Sequence, residues 1–184
     1  MIKRRGKAVI CLTLALSFIA PSSYADERPQ ITIVNQTGLA LVPLDMKVFN
    51  DYLDNVKYDW GAIYPGPYVV FIVNEIPYRL LNIMPHNAVA LHTDYPQIFV
   101  SMNELQTNTY NIYTAITHEL AEVAVDPFLN KFDSYGRLIE ICDPYTSVPS
   151  VLDHQTVATY ALPGFYNLQP AYTWKNWSKL RSLQ

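Results

Sequence analysis

Half of the 184 residues are hydrophobic and 16% are charged, with 14 tyrosines and 13 prolines; this composition excludes a disordered or fibrous chain and indicates an ordered, loop-rich one. The formal net charge is −3, but four of the 13 basic residues (Lys3, Arg4, Arg5, Lys7) precede the first acidic one, Asp26. From Asp26 onward nine basic face 16 acidic side chains, a net charge of −7, which disfavours nucleic acid and anionic lipid as partners and suits a cation.

The basic start is followed by an apolar run over residues 8–20 and by Ser23-Tyr24-Ala25, small residues where a signal peptidase reads. Residues 1–25 are therefore expected to be a cleaved signal peptide, and 26–184 a single exported domain, periplasmic or secreted. The apolar run is shorter than the ~20 residues of a membrane span, so no stable anchor is expected after cleavage. Cys142 is the one cysteine beyond the signal. With no internal disulfide available, the domain must be held by its core or by a metal.

Residues 30–35 (QITIVN) alternate and are β-branched, predicting a strand that ends at the turn Gln36-Thr37-Gly38. Asp45 is a good N-cap, and Val48, Phe49, Tyr52, Leu53 and Val56 recur at helical spacing, so an amphipathic helix is expected to about Tyr58. After the YPGPY turn, residues 68–74 (YVVFIVN) form an apolar run expected to be a central strand. Two short strands are expected at 88–92 and 97–101, joined around Tyr95-Pro96, with Pro77, Pro85 and Pro96 marking them as edge strands.

A second amphipathic helix is expected between the capping residues Thr107, Asn108 and Thr109 and the stop at Asp126-Pro127. Its core stripe is Tyr113, Ile116, Leu120, Val123 and Ala124, with His118 and Glu122 turned to the opposite side and Glu119 near the boundary. Beyond it, 130–137 (NKFDSYGR) reads as a turn, 137–144 (RLIEICDP) as a short strand, and 172–180 as a helix with Trp174 and Trp177 inward.

The chemistry concentrates in ITHELAEVAVDP, residues 116–127. Side chains four apart on a helix are close enough to share one ion. In H-E-x-x-H proteins two imidazoles bind zinc and the glutamate after the first is the general base for water. Here Glu122 stands in the second histidine's place, with His118 and Glu122 as the ligand pair and Glu119 in the base position. Carboxylate oxygen and imidazole nitrogen bind zinc at similar distances, so the exchange is geometrically allowed. It also makes manganese, iron or calcium more acceptable. For a third ligand Asp126 lies roughly 12 Å along the helix from His118, too far to share the ion. Glu140 and Asp143 are better placed, Glu140 foremost. Asp126 and Asp143 are then outer contacts, His92 a cleft residue, and Cys142 a small core residue. The competing reading of H-E-x-x-E is a solvated helix face.

The element order, with the motif helix following the edge strands, resembles the zincin-like arrangement of metalloproteases over residues 30–126. The segments LHTDYPQIFVS, THELAEVAVDP, EICDP and YALPGFY, in that order, resemble a family of uncharacterised bacterial and phage proteins over residues 91–166. The matching positions are His118, Glu119, Glu122, Asp126, Glu140, Cys142 and Asp143. Together these imply an α+β, zincin-like fold with a small mixed sheet and two main helices, and an exported metal-dependent hydrolase of metallopeptidase type, acting on a peptide or protein with zinc or another divalent ion. Glu122 and the absent metzincin glycine and third histidine depart from true zincins. They leave open a non-enzymatic secreted metal-binding or effector domain, or a calcium-stabilised one.

Overall fold

The computed structural model describes residues 29–166 apart from 62, 82–87, 94–95, 134 and 146, together with Trp174 and Lys175. The expected signal peptide lies outside the described residues. The fold is mixed α+β. A four-stranded sheet has the order β1 (Ile31–Asn35), β2 (Tyr68–Val73), β4 (Gln97–Ser101), β3 (Ala90–His92), with β1, β2 and β4 parallel and β3 antiparallel at the edge. Parallel strands need a crossover, and the first is α1 (Met46–Trp60). Its N-cap Asp45 accepts from Lys47 N, and the five apolar positions expected to face the core are its buried ones.

Strand alternation sorts the sheet into two faces. Tyr68, Val70 and Ile72 of β2 and Ile98 and Val100 of β4 are buried in the main core with the apolar faces of α1 and α4 (Ile112–Val125). On the other face Phe71 stacks on Phe99 at 5.1 Å, beside a smaller cluster of Val73, Ile76 and Leu91. Of the two strands expected at an edge only β3 is one; β4 lies inside the sheet, between β2 and β3. Pro96 immediately precedes β4 and so withdraws no amide from its ladder.

Three further elements differ from the sequence reading. A short helix, α3 (Met102–Thr107), follows β4 directly, capped by Ser101, and α4 starts at a new cap, Asn111, rather than at residues 107–109. Residues 137–144 are not a strand. Their backbone groups are spent singly on different partners: Ile139 N on Lys131 O, Ile141 O on Ala161 N, Cys142 N on the Glu122 side chain. An isolated bridge, Phe132 to Leu138, and a 3₁₀ turn, Asp143–Tyr145, flank them. The helix expected over 172–180 lies outside the described residues except for Trp174–Lys175, which pair as β8 with β7 (Tyr160–Ala161). A small α2 (Tyr78–Leu81) and the hairpin β5 (Ser150–Leu152) and β6 (Gln155–Val157) complete the described elements.

The decisive difference concerns α4. Every residue from Thr114 to Val125 is buried except His118, which is partly so. The helix packs against α1, β3, β4 and β6. Thr114 Oγ1 donates to Thr156 O at 3.0 Å and Ala158 N donates to Thr117 Oγ1 at 2.9 Å, so the segment through β6 closes the side opposite the sheet. A solvated face for His118-Glu119-x-x-Glu122 is thereby excluded.

Candidate metal centre

Register alone explains how His92 reaches α4. His92 is paired with Ile98 across β3 and β4, and directly opposed residues share a sheet face. Ile98 faces α4, so His92 does too, with 3% exposure. Its Nδ1 lies 2.9 Å from Glu119 Oε2 and 3.7 Å from Glu122 Oε2, and its Nε2 lies 4.0 Å from Glu140 Oε2. Glu119 and Glu122 are 5% and 3% exposed.

His118, one turn before Glu122, places Nε2 3.2 Å from Glu122 Oε1 and 3.3 Å from Asp143 Oδ1. Glu122 Oε1 also accepts from Cys142 N at 3.1 Å. That bond draws the 140–143 segment onto α4, and it is fixed from behind by Tyr166 Oη donating to Glu140 O at 2.6 Å. Cys142 is wholly buried, with Sγ 3.8 Å from Tyr52 Oη.

Two triplets bring one ligand atom each within 4.8 Å of the others: His118–Glu122–Cys142 and His92–Glu119–Glu122. The expected trio of His118, Glu122 and Glu140 is thus not the tight one. Cys142 takes the third place beside His118, and Glu140 stands on the His92 side. Asp143 is at the mouth, its side chain 66% exposed. Asp126 is elsewhere: fully buried, it accepts from Asn130 N at 3.0 Å and Lys131 N at 2.8 Å and so folds the loop after α4. The sequence reading passed over Cys142 as core. Its spacing two residues from Glu140 was the available signal, and a bend in place of a strand turns both toward α4.

Burial and charge pull the site in opposite directions. Burial disfavours both imidazolium forms, but the facing carboxylates win: His92 is raised to about 9, chiefly by Glu119, and His118 well above its ordinary value by Glu122 and Asp143. Glu140 is raised by burial and by the charge of Glu122, partly offset by His92. Burial, with Glu122, pushes the Cys142 thiol well up. Two buried atoms in the centre, His92 Nε2 and Glu140 Oε2, have no hydrogen-bond partner among the described residues.

An open cleft of about 490 Å³ runs beside the N-terminus of α4, lined by Leu41, Val42, Met102, Leu105, Tyr110 and Tyr113 among others. Tyr110 lines this cleft and feels the charge of the centre. Burial raises its hydroxyl pKa while the charge on His118 lowers it.

No family model, curated protein or solved structure matches the chain.

Proposed function

We propose that this is an exported, metal-dependent hydrolase of peptidase type on a zincin-like scaffold. One observation carries the reading: His118, Glu122 and Cys142 each bring a ligand atom within 4.8 Å of the others where the 140–143 segment meets α4, with the buried Glu119 beside them on the helix. Burying several carboxylates together is costly unless positive charge balances them, and a divalent cation supplies it. His118, Glu122 and Cys142 would hold the ion, with Asp143 within reach at the mouth. The mixed nitrogen, oxygen and sulfur donors suit zinc better than calcium. Such an ion polarises a carbonyl and lowers the pKa of bound water.

The chain's own residues do the rest. Glu119 adjoins the first ligand on α4 and is the carboxylate positioned to take a proton. His92 fixes one of its oxygens and leaves the other for water. The cleft ending at Tyr110 offers apolar walls to a peptide side chain. The antiparallel edge strand β3 beside the motif helix supports the zincin-like comparison.

Metal analysis of protein purified without chelator, wild type against His118→Ala, tests the reading. Stoichiometric zinc lost in the variant is expected; equal, substoichiometric metal in both overturns it. The near-complete burial of Glu119 favours one second reading, a non-catalytic domain stabilised by its ion. Under that reading Glu119→Gln changes no turnover, because there is none.

A further inference from the structure

We propose that the centre holds two divalent cations, bridged by Glu122, the second seated among His92, Glu119 and Glu122 with Glu140 beside them. This rests on the preceding reading only for the ion next to His118.

The two oxygens of Glu122 face different partners. Oε1 lies 3.2 Å from His118 Nε2, and Oε2 lies 3.7 Å from His92 Nδ1. Each three-residue group uses Glu122, and neither contains both histidines. A carboxylate presenting one oxygen to each of two clusters is how paired ions ~3.5–4 Å apart are held.

Charge gives a separate reason. Glu119, Glu122, Glu140 and Asp143 surround two imidazoles. With the imidazoles neutral, as ligands must be, one divalent ion balances two of the carboxylates Glu119, Glu122 and Glu140 and leaves the third unmatched away from solvent, with Asp143 exposed beside it. A second ion balances the remainder.

The unpartnered atoms point to the same place. The His92 side chain is 1% exposed and its Nε2 is bare of partners, as is Glu140 Oε2, 4.0 Å away. The ion would take Nδ1, the nitrogen that faces Glu119 and Glu122, and leave Nε2 to turn its proton toward Glu140, as an outer carboxylate orients a ligating histidine. The donors on this side are nitrogen and carboxylate oxygen without sulfur, so zinc or manganese fits. With this ion bound Glu119 is a ligand rather than a free base, so the reaction would rely on water activated between two cations.

Zinc bound per chain after dialysis against the metal reads the proposal directly. Two zinc ions are expected in the wild type, one in His92→Ala and one in His118→Ala. A wild type with one zinc that is lost only in His118→Ala overturns the second site and leaves the single-ion reading standing. One zinc lost equally in both variants overturns it too, as a single shared ion. No zinc at all overturns both readings. Should His92→Ala fail to fold by circular dichroism, the manganese-loaded wild type decides. Its electron paramagnetic resonance spectrum shows an exchange-coupled pair if the proposal holds, and an isolated-ion signal alone overturns it.

Discussion

Nδ1 of His92 lies 2.9 Å from Oε2 of Glu119, joining the edge strand of the sheet to the long buried helix through a contact almost closed to solvent. The two residues are 27 apart in sequence. Sheet register brings the imidazole to that face, and the position of Glu119 on α4 brings the carboxylate. In a low-dielectric setting the contact fixes both side chains, so the geometry of the centre depends on the sheet as well as on the helix motif.

Glu119→Gln keeps an oxygen to face His92 and nearly the same volume, so the fold is expected to persist. Turnover on a peptide substrate should fall by about 10²–10⁴, the usual worth of a positioned acid–base group. Circular dichroism and a peptide-cleavage assay on the same preparations check both halves. Unchanged turnover would remove Glu119 from the chemistry.

The metal-free protein is expected to lose stability as pH rises, and the margin conferred by metal is expected to grow. His92 is raised to about 9 from 6.5, and Glu140 is raised from 4.5, so the native state binds more protons than the unfolded one. The stability contribution of His92 is complete below pH 6.5 and disappears as pH rises through about 9; that of Glu140 also declines as pH rises above 4.5. Metal binding releases those same protons, so affinity increases over this interval. Thermal melts with chelator should fall in Tm from pH 6 to 9, and melts with saturating zinc should shift upward relative to them by an increasing margin. A constant margin would separate these groups from the metal.

Much of the scaffold was legible in the sequence, because it follows from local rules. The five apolar positions of α1 at helical spacing are the buried ones, and the apolar run ending in Val73 is an interior strand. What was not legible depended on what covers each element. The periodicity of α4 assigns His118 and Glu122 to a polar face, but His92 of β3 and the 140–143 segment cover that face, and neither leaves a mark within residues 112–125. Residues 137–144 (RLIEICDP) read as a short strand; the carboxylate of Glu122 instead takes the Cys142 amide and bends the chain. Within the candidate centre the helix motif located His118, Glu119 and Glu122, whereas the place of His92 required the register with Ile98.

Asp126 offers a test that separates architecture from chemistry. Its two oxygens accept the amides of Asn130 and Lys131 in a fully buried setting. Asp126→Ala removes two hydrogen bonds from the amides of Asn130 and Lys131 to a charged acceptor, at about 1.5–3 kcal/mol each. A loss of about 2–5 kcal/mol in denaturant-derived stability is expected, with metal content per folded chain unchanged. Loss of metal from chains that remain folded would tie Asp126 to the centre.

Leu120 measures how much α4 relies on its core rather than on the proposed ion. It is wholly buried on the helix, between Glu119 and Ala121. Leu120→Ala removes buried methyl groups and leaves a cavity, which costs about 2–5 kcal/mol. A bound cation stabilises the native state by an amount set by its free concentration relative to its Kd, so the same variant with saturating zinc should recover Tm while the difference from zinc-loaded wild type persists. The cavity and the ion then act as separate contributions. If zinc instead erased the difference between variant and wild type, the helix would be held chiefly by its ligands, and the packing around Ile116, Leu120 and Val123 would be secondary to the centre.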